Sequence, residues 1–169
     1  EWDIKMHSRL IQIERNEHIG LGRPLVDKIL QYINQQQRPL VLANLGAGGM
    51  EVDRQIILKL LEIDYVYPVI FIGIDKSPVT QEIAFNNICS TGSAVSVLKI
   101  DHLSNTQLDD IKRNNHGVTV ILCKNDIFEL DKEFSLNFDL TYHSLLKHHL
   151  SEKQHKNLDV VMRKIAKNK

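Results

Sequence analysis

A glycine-rich turn between two apolar segments is the feature that most constrains the fold of this chain. The stretch LANLGAGGMEVD (residues 42–53) has three glycines within four positions. The run before them, LVLANL (40–45), is almost wholly apolar, which is typical of a parallel strand buried on both faces. The segment after them carries Val52, Ile56 and Leu60 at helical spacing. The sequence therefore predicts a strand, a tight turn and an amphipathic helix, the repeating unit of α/β sheets.

The alternation of strands and helices continues along the chain. A helix is predicted from Arg23, and residues 1–38 are interpreted as a helical leader to a single domain over 39–169. The strand VIFIGID (69–75) ends in an acid, and Ser77 is a suitable N-cap for the helix that follows it. Further strands are predicted at 94–100, 118–123 and 138–145, and further helices at 105–115 and from Ser151.

Composition limits the classes of function. Lys plus Arg equals Asp plus Glu at 21 each, so no net positive field indicates nucleic acid as a partner. The longest apolar runs, LVLANL and YPVIFIGI, are far shorter than the roughly 20 residues of a membrane span. Cys89 and Cys123 are too few for a disulfide framework and lack metal-ligand spacing. We therefore expect a cytoplasmic protein without a membrane span.

The turn and the end of the second strand together predict the ligand. In doubly wound sheets the carboxyl ends of the strands form the ligand-binding edge, and turn N–H groups there favour polar or anionic groups. Asp75 lies 27 residues after Gly48, and a carboxylate at that place can accept hydrogen bonds from both hydroxyls of a ribose. This favours an adenosine-type ligand over a merely structural turn. The dinucleotide pattern G-x-G-x-x-G has Glu51 at its third glycine, which disfavours a nicotinamide cofactor, and no P-loop pattern is present.

Four segments, in order, resemble the motifs of the class I S-adenosylmethionine-dependent methyltransferases: LVLANLGAGGME (40–51), IFIGIDKSP (70–78), LCKNDIFEL (122–130) and FDLTYHSLLKHHL (138–150). The resemblance implies a Rossmann-like parallel sheet with helices on both faces. It also implies S-adenosyl-L-methionine as the cofactor and methyl transfer to a small-molecule acceptor. The positions that match the family's cofactor-binding residues are Asn44 at the methionine end, Gly46, Ala47, Gly48 and Gly49 in the turn, Asp75 and Lys76 at the ribose, Asp126 and Ile127 at the adenine, and Tyr142 as pocket lining.

The chain departs from the family pattern in four places. Asn44 stands where the family has an acid, so it carries no charge toward the methionine ammonium. Met50 replaces the third glycine of the turn and is expected to crowd the methionine tail. An extra strand and helix make Asp101 a competitor of Asp126 for the adenine, and the form of DIFEL favours Asp126. The family's last strands are missing by Lys169, which predicts an open sheet edge and leaves two alternatives: the chain is a fragment, or a second copy or another partner covers the edge.

The sequence assigns no catalytic base. His148 and His149 follow the fourth strand of the pattern, where packing at a helix start is favoured over a base near the acceptor. Together with His143 and His155 they lack the spacing of a zinc site, so no metal is expected. The departures above leave a second interpretation open, in which the protein is a non-catalytic, methyltransferase-like binding or regulatory module.

Overall fold

A computed structural model of the chain describes residues 23–130, 138–143 and 150–165. Within these residues the chain forms five strands and five helices. In chain order they are α1 (Arg23–Gln36), β1 (Leu40–Leu45), α2 (Glu51–Glu62), β2 (Val69–Ile74), α3 (Pro78–Cys89), β3 (Val95–Ile100), α4 (Asn105–Asn114), β4 (Val118–Cys123), β5 (Leu140–Tyr142) and α5 (Glu152–Ile165).

The five strands form one parallel sheet in the order β3-β4-β2-β1-β5. Every residue of β1, β2 and β4 is buried. A parallel sheet that is covered by helices on both faces needs apolar side chains in both directions, which explains the continuous apolar runs of these strands. The predicted α/β class with a parallel sheet is confirmed.

Helices cover both faces of the sheet. α1, α2 and α3 pack on one face, where Ile33 and Ile88 are fully buried. α4 and α5 pack on the other face through Leu108 and Leu158. The fold is therefore Rossmann-like, with helices on both faces as expected. α1 lies within the predicted leader over 1–38, yet its buried residues belong to the same core as the strands.

The additional strand between the second and third motifs lies at the edge of the sheet. β4, and not β3, pairs with β2, and Ile74 lies opposite Cys123 at the carboxyl end of that pair. β3 pairs only with β4, and its residues Ser96 and Leu98 are exposed. β2 and β4 are therefore direct neighbours, and β3 extends the sheet outward beyond β4.

The last strand is shorter than predicted. Within the expected strand over 138–145 only β5 pairs with β1, while residues 144–149 lie outside the described part of the chain. Asp139 forms a bend before β5, and its carboxylate accepts a hydrogen bond from the Val41 N–H at 2.9 Å. The same carboxylate forms an ion pair with Arg38 at 2.9 Å. The hydrogen bond from the Val41 N–H to the Asp139 side chain thus takes the place of one backbone hydrogen bond between β1 and β5.

The start of α3 lies where its serine and proline predict it. The Ser77 hydroxyl accepts a hydrogen bond from the Thr80 N–H at 3.4 Å, with Pro78 as the first helical residue of α3, which confirms the predicted N-cap. These signals set where α3 begins, and so they set the distance between its first turn and the end of β2.

The chain changes direction across the sheet at β1. β2 lies on one side of β1 and β5 lies on the other. In doubly wound sheets the crevice at such a switch point, outside the carboxyl ends of the strands, is the usual place for a ligand. The glycine turn follows β1 directly, so the fold places it at this crevice.

Candidate functional site

A cavity of about 170 Å³ lies at the carboxyl edge of the sheet. All strands of a parallel sheet end at one edge, so residues that are far apart in the sequence meet there. Its lining comes from four parts of the chain: Gly46 after β1, Asp75 and Lys76 after β2, residues 125–128 after β4, and Leu150 and Gln154 at the start of α5.

The glycine turn has a left-handed residue at every second position. Gly46, Gly48 and Met50 have φ values of 65°, 52° and 53°. Glycine adopts this conformation without steric cost, whereas the Cβ of methionine makes it unfavourable by roughly 1–2 kcal/mol. Met50 therefore has a backbone conformation that is suited to glycine.

The side chain of Met50 packs in the core. It is 1% exposed, and a Cβ added at Gly73 in β2 would lie 2.5 Å from its sulfur. The absence of a side chain at Gly73 is what makes room for it. The side chain that is expected to crowd the methionine tail is therefore buried against β2.

Asp75 joins the end of β2 to the glycine turn. Its Oδ2 accepts a hydrogen bond from the Gly48 N–H at 3.0 Å, and its Oδ1 accepts one from the Ser77 N–H at 2.9 Å. The residue is partly exposed at the cavity. A carboxylate has about four lone-pair positions, so two hydrogen bonds leave it able to accept two more.

Asp126 lines the same cavity as Gly46 of the turn. Its Oδ1 accepts a hydrogen bond from the Phe128 N–H at 3.0 Å, and its Oδ2 lies 3.7 Å from the Lys76 ammonium. The ion pair is solvent-accessible, with 76% of the Lys76 side chain exposed, so it contributes little to stability. Asp101 follows the edge strand β3 and does not line this cavity. The sheet order thus places Asp126, of the two competing acids, at the cavity.

Asn44 and Tyr142 face the core under α2 instead of the cavity. They are paired neighbours on β1 and β5, and both bond to the carboxylate of Asp53 in the first turn of α2. The Asn44 Nδ2 donates to Asp53 Oδ2 at 2.6 Å, and the Tyr142 hydroxyl donates to Asp53 Oδ1. We refer to these three side chains, Asn44, Asp53 and Tyr142, as the Asp53 cluster. All three are buried.

Burial dominates the acid–base properties of the Asp53 cluster. It raises the pKa of Asp53 from 3.8 to about 6, although the hydrogen bonds from Tyr142 and Asn44 act in the opposite direction. Burial and the charge of Asp53 raise the pKa of Tyr142 well above its usual value. The cluster also explains why position 44 is an amide. A carboxylate there would lie against that of Asp53, and two such groups in contact cannot both ionise.

The structure brings five of the ten predicted site residues together at the cavity, namely Gly46, Asp75, Lys76, Asp126 and Ile127. Ala47, Gly48 and Gly49 form the turn beside it without lining it. The Gly49 carbonyl accepts a hydrogen bond from the Asn87 side chain of α3 at 2.9 Å.

Four residues of the cavity lining were not predicted from the sequence: Asn125, Phe128, Leu150 and Gln154. Asn125 and Phe128 adjoin Asp126 in the sequence, whereas Leu150 and Gln154 have no local signal that ties them to a ligand.

No group of three His, Cys, Asp or Glu side chains within the described ranges is arranged to hold a metal ion. His148 and His149 lie outside those ranges. Cys123 is buried at the end of β4 and Cys89 is exposed. Nor does any helix of the described part of the chain have the length and apolar character to cross a bilayer.

A second, larger hollow lies at the opposite edge of the sheet. It has a volume of about 570 Å³ and is lined by residues of β3, β4 and the end of α4, among them Leu98, Asn115 and His116. It belongs to the amino ends of the strands, where doubly wound sheets do not usually bind ligands.

Comparison of the chain with protein-family models, with curated proteins and with solved structures finds no match.

Proposed function

We propose that this protein binds S-adenosyl-L-methionine at the carboxyl edge of its sheet and transfers the methyl group to a small-molecule acceptor in the cytoplasm. The observation that supports this best is that Gly46, Asp75 and Asp126, from three motifs, line one cavity. The sheet order brings these motifs together despite the extra strand β3.

The residues at the cavity suit the adenosine half of the cofactor. Asp75 keeps lone pairs for the two ribose hydroxyls, and the Asp126 carboxylate is able to accept from the adenine amino group. Ile127 and Phe128 provide apolar surface beside Asp126. The volume of about 170 Å³ is below the roughly 300–1,000 Å³ of typical ligand sites, so it suits part of the cofactor. The remainder would extend along the glycine turn.

The methionine half is less well supported. Asn44, at the position of the family's acid, is turned toward Asp53 and is fully buried. It therefore offers no charge to the ammonium group of the cofactor. We expect weaker binding than in a site with an acid that faces the ligand, since a charge-assisted hydrogen bond is roughly twice as strong as a neutral one.

When bound, S-adenosyl-L-methionine would supply a sulfonium-activated methyl group for in-line displacement. The chain's own contribution is to hold the donor in place: Asp75 and Asp126 would fix the adenosine, and the turn would fix the orientation of the tail. Positioning of this kind can supply roughly 7–11 kcal/mol of a reaction barrier. No described residue is assigned as a base, and a base is needed only if the acceptor must lose a proton.

A second candidate is a non-catalytic module that binds an adenosine-type ligand. The burial of Asn44 in the Asp53 cluster favours it, because the tail of the cofactor then has no charged partner from the first motif. The two candidates share the ligand site and differ in turnover.

The test is isothermal titration of S-adenosylhomocysteine and S-adenosylmethionine into the wild type and matched variants. We expect Asp75→Ala and Asp126→Ala each to weaken binding at least tenfold, the loss typical for hydrogen bonds to a charged group. Asp101→Ala removes an acid that also follows a strand but lies outside the cavity, and it should bind like the wild type. Asp75→Asn keeps one acceptor oxygen for the backbone N–H groups of Gly48 and Ser77 and loses the charge, so it should also bind more weakly than the wild type.

Equal affinity of the wild type and the Asp75 and Asp126 variants would contradict the proposed site, and absence of binding to the folded wild type would contradict the proposed ligand. If binding is found, release of S-adenosylhomocysteine in the presence of a panel of small nucleophiles separates the two candidates. Turnover supports the transferase, and tight binding without turnover supports the module.

A further inference from the structure

The Asp53 cluster ties three elements together at one point. Asp53 is in the first turn of α2, directly after the glycine turn, while Asn44 is near the end of β1 and Tyr142 ends β5. Both oxygens of the Asp53 carboxylate accept a side-chain hydrogen bond, one from each strand. The cluster therefore fixes the position of β5 relative to the glycine turn.

A carboxylate is a costly choice for this purpose. Asp53 is 0% exposed and forms no ion pair within the described residues, and a buried charge without a cation is unfavourable. An apolar residue would fill the same space without that cost. Neutral Asn44 and Tyr142 cannot cancel the charge, so the cluster is sensitive to the proton on Asp53.

The groups around Asp53 leave it as the one that titrates near neutral pH. Tyr142 faces it from β5 and has a pKa well above the usual value, so it stays protonated. Asn44 faces it from β1 and does not titrate. α1 presents apolar residues such as Ile29 to this core. On α2 itself, Glu51 forms an ion pair with Arg54 at 3.5 Å.

We propose that Asp53 is a positioning residue for the ligand site, and that its protonation closes the contact between β5 and the first turn of α2 while its ionisation favours opening. The effect reaches the cavity through the glycine turn, which directly precedes α2 and whose Gly48 N–H bonds to Asp75 in the cavity lining. The part of the inference that concerns ligand affinity rests on the proposed function. The part that concerns β5 does not.

The sign follows from proton linkage. The pKa of Asp53 is about 6 in the closed arrangement, while a hydrated Asp53 would titrate near 3.8. The closed arrangement therefore binds the proton more tightly, and raising the pH from about 4 through 6 favours the open one. If the carboxylate is fully hydrated in the open form, the equilibrium constant for opening should rise about tenfold between pH 5 and pH 7.5.

The test is amide hydrogen exchange of the full chain across this pH range, corrected for the intrinsic pH dependence of exchange. Peptides that contain β5 and the first turn of α2 should show about tenfold more opening at the higher pH, while peptides from β4 should not. Asp53→Asn removes the titration, so its β5 peptides should lose this dependence. Asp101→Asn is the matched control at an exposed acid and should behave like the wild type.

A β5 pH dependence that is the same in the wild type and Asp53→Asn would overturn the proposal. Tyr142→Phe removes one hydrogen-bond donor and keeps the ring, so it should increase opening of β5 and keep a pH dependence. The affinity for S-adenosylhomocysteine, measured over the same pH range, should fall with rising pH in the wild type only. If no variant binds that ligand, the proposed function fails, and the exchange data still decide the role of Asp53.

Discussion

At the scale of single residues, Met50 combines two opposing effects. Its left-handed backbone is unfavourable by roughly 1–2 kcal/mol, while its buried side chain fills the space above Gly73. Removing a buried side chain of this size costs about 2–5 kcal/mol. The free energy gained by packing the side chain is larger than the cost of the left-handed backbone. This explains how a methionine is accommodated at a position suited to glycine.

We therefore predict that Met50→Gly lowers the free energy of unfolding by up to about 4 kcal/mol, the side-chain loss less the relief of backbone strain. Urea unfolding followed by circular dichroism measures this. Met50→Leu keeps the volume and should cost less than about 1.5 kcal/mol. A Met50→Gly variant that is more stable than the wild type would show that backbone strain dominates.

At the scale of elements, Asp139 fastens β5 to β1. Its carboxylate accepts from the Val41 N–H and pairs with Arg38, and only 2% of its side chain is exposed. Asp139→Ala leaves a buried N–H without a partner, so we predict a loss of about 2–3 kcal/mol in urea unfolding. Arg38→Ala keeps the bond from the Val41 N–H but leaves the buried Asp139 carboxylate without its cation, so we predict a smaller loss than for Asp139→Ala. Equal losses in the two variants would mean that the ion pair, and not the bond to β1, is what matters.

The elements themselves were largely predictable from local patterns. Apolar runs located β1, β2 and β4, and Ser77 with Pro78 located the start of α3. The position of β3 at the sheet edge was not predictable, because strand order depends on contacts between elements that are distant in the sequence. Alternation along β1 puts Asn44 on the same face as Leu42, but the sequence does not say which face α2 covers. The resemblance places Asn44 and Tyr142 at the cofactor, and only the contacts with α2 reveal that both side chains bond to Asp53.

At the scale of the whole molecule, the sheet separates two hollows. The cavity near Asp75 and Asp126 lies at the carboxyl edge, and the larger hollow near Asn115 and His116 lies at the amino edge. On volume alone, the hollow at the amino edge would be the better ligand site. The switch in strand order, the glycine turn and the acids favour the carboxyl edge, and the proposed function depends on these rather than on size.

Amide NMR of the wild type with increasing S-adenosylhomocysteine tests this choice most directly. We predict that chemical-shift changes concentrate at Gly46, Asp75 and Asp126 and their neighbours, while the amides of β3 and of His116 stay unchanged. Changes confined to the amino edge, or none at saturating ligand in a folded sample, would contradict the proposal that the carboxyl edge of this sheet binds the cofactor.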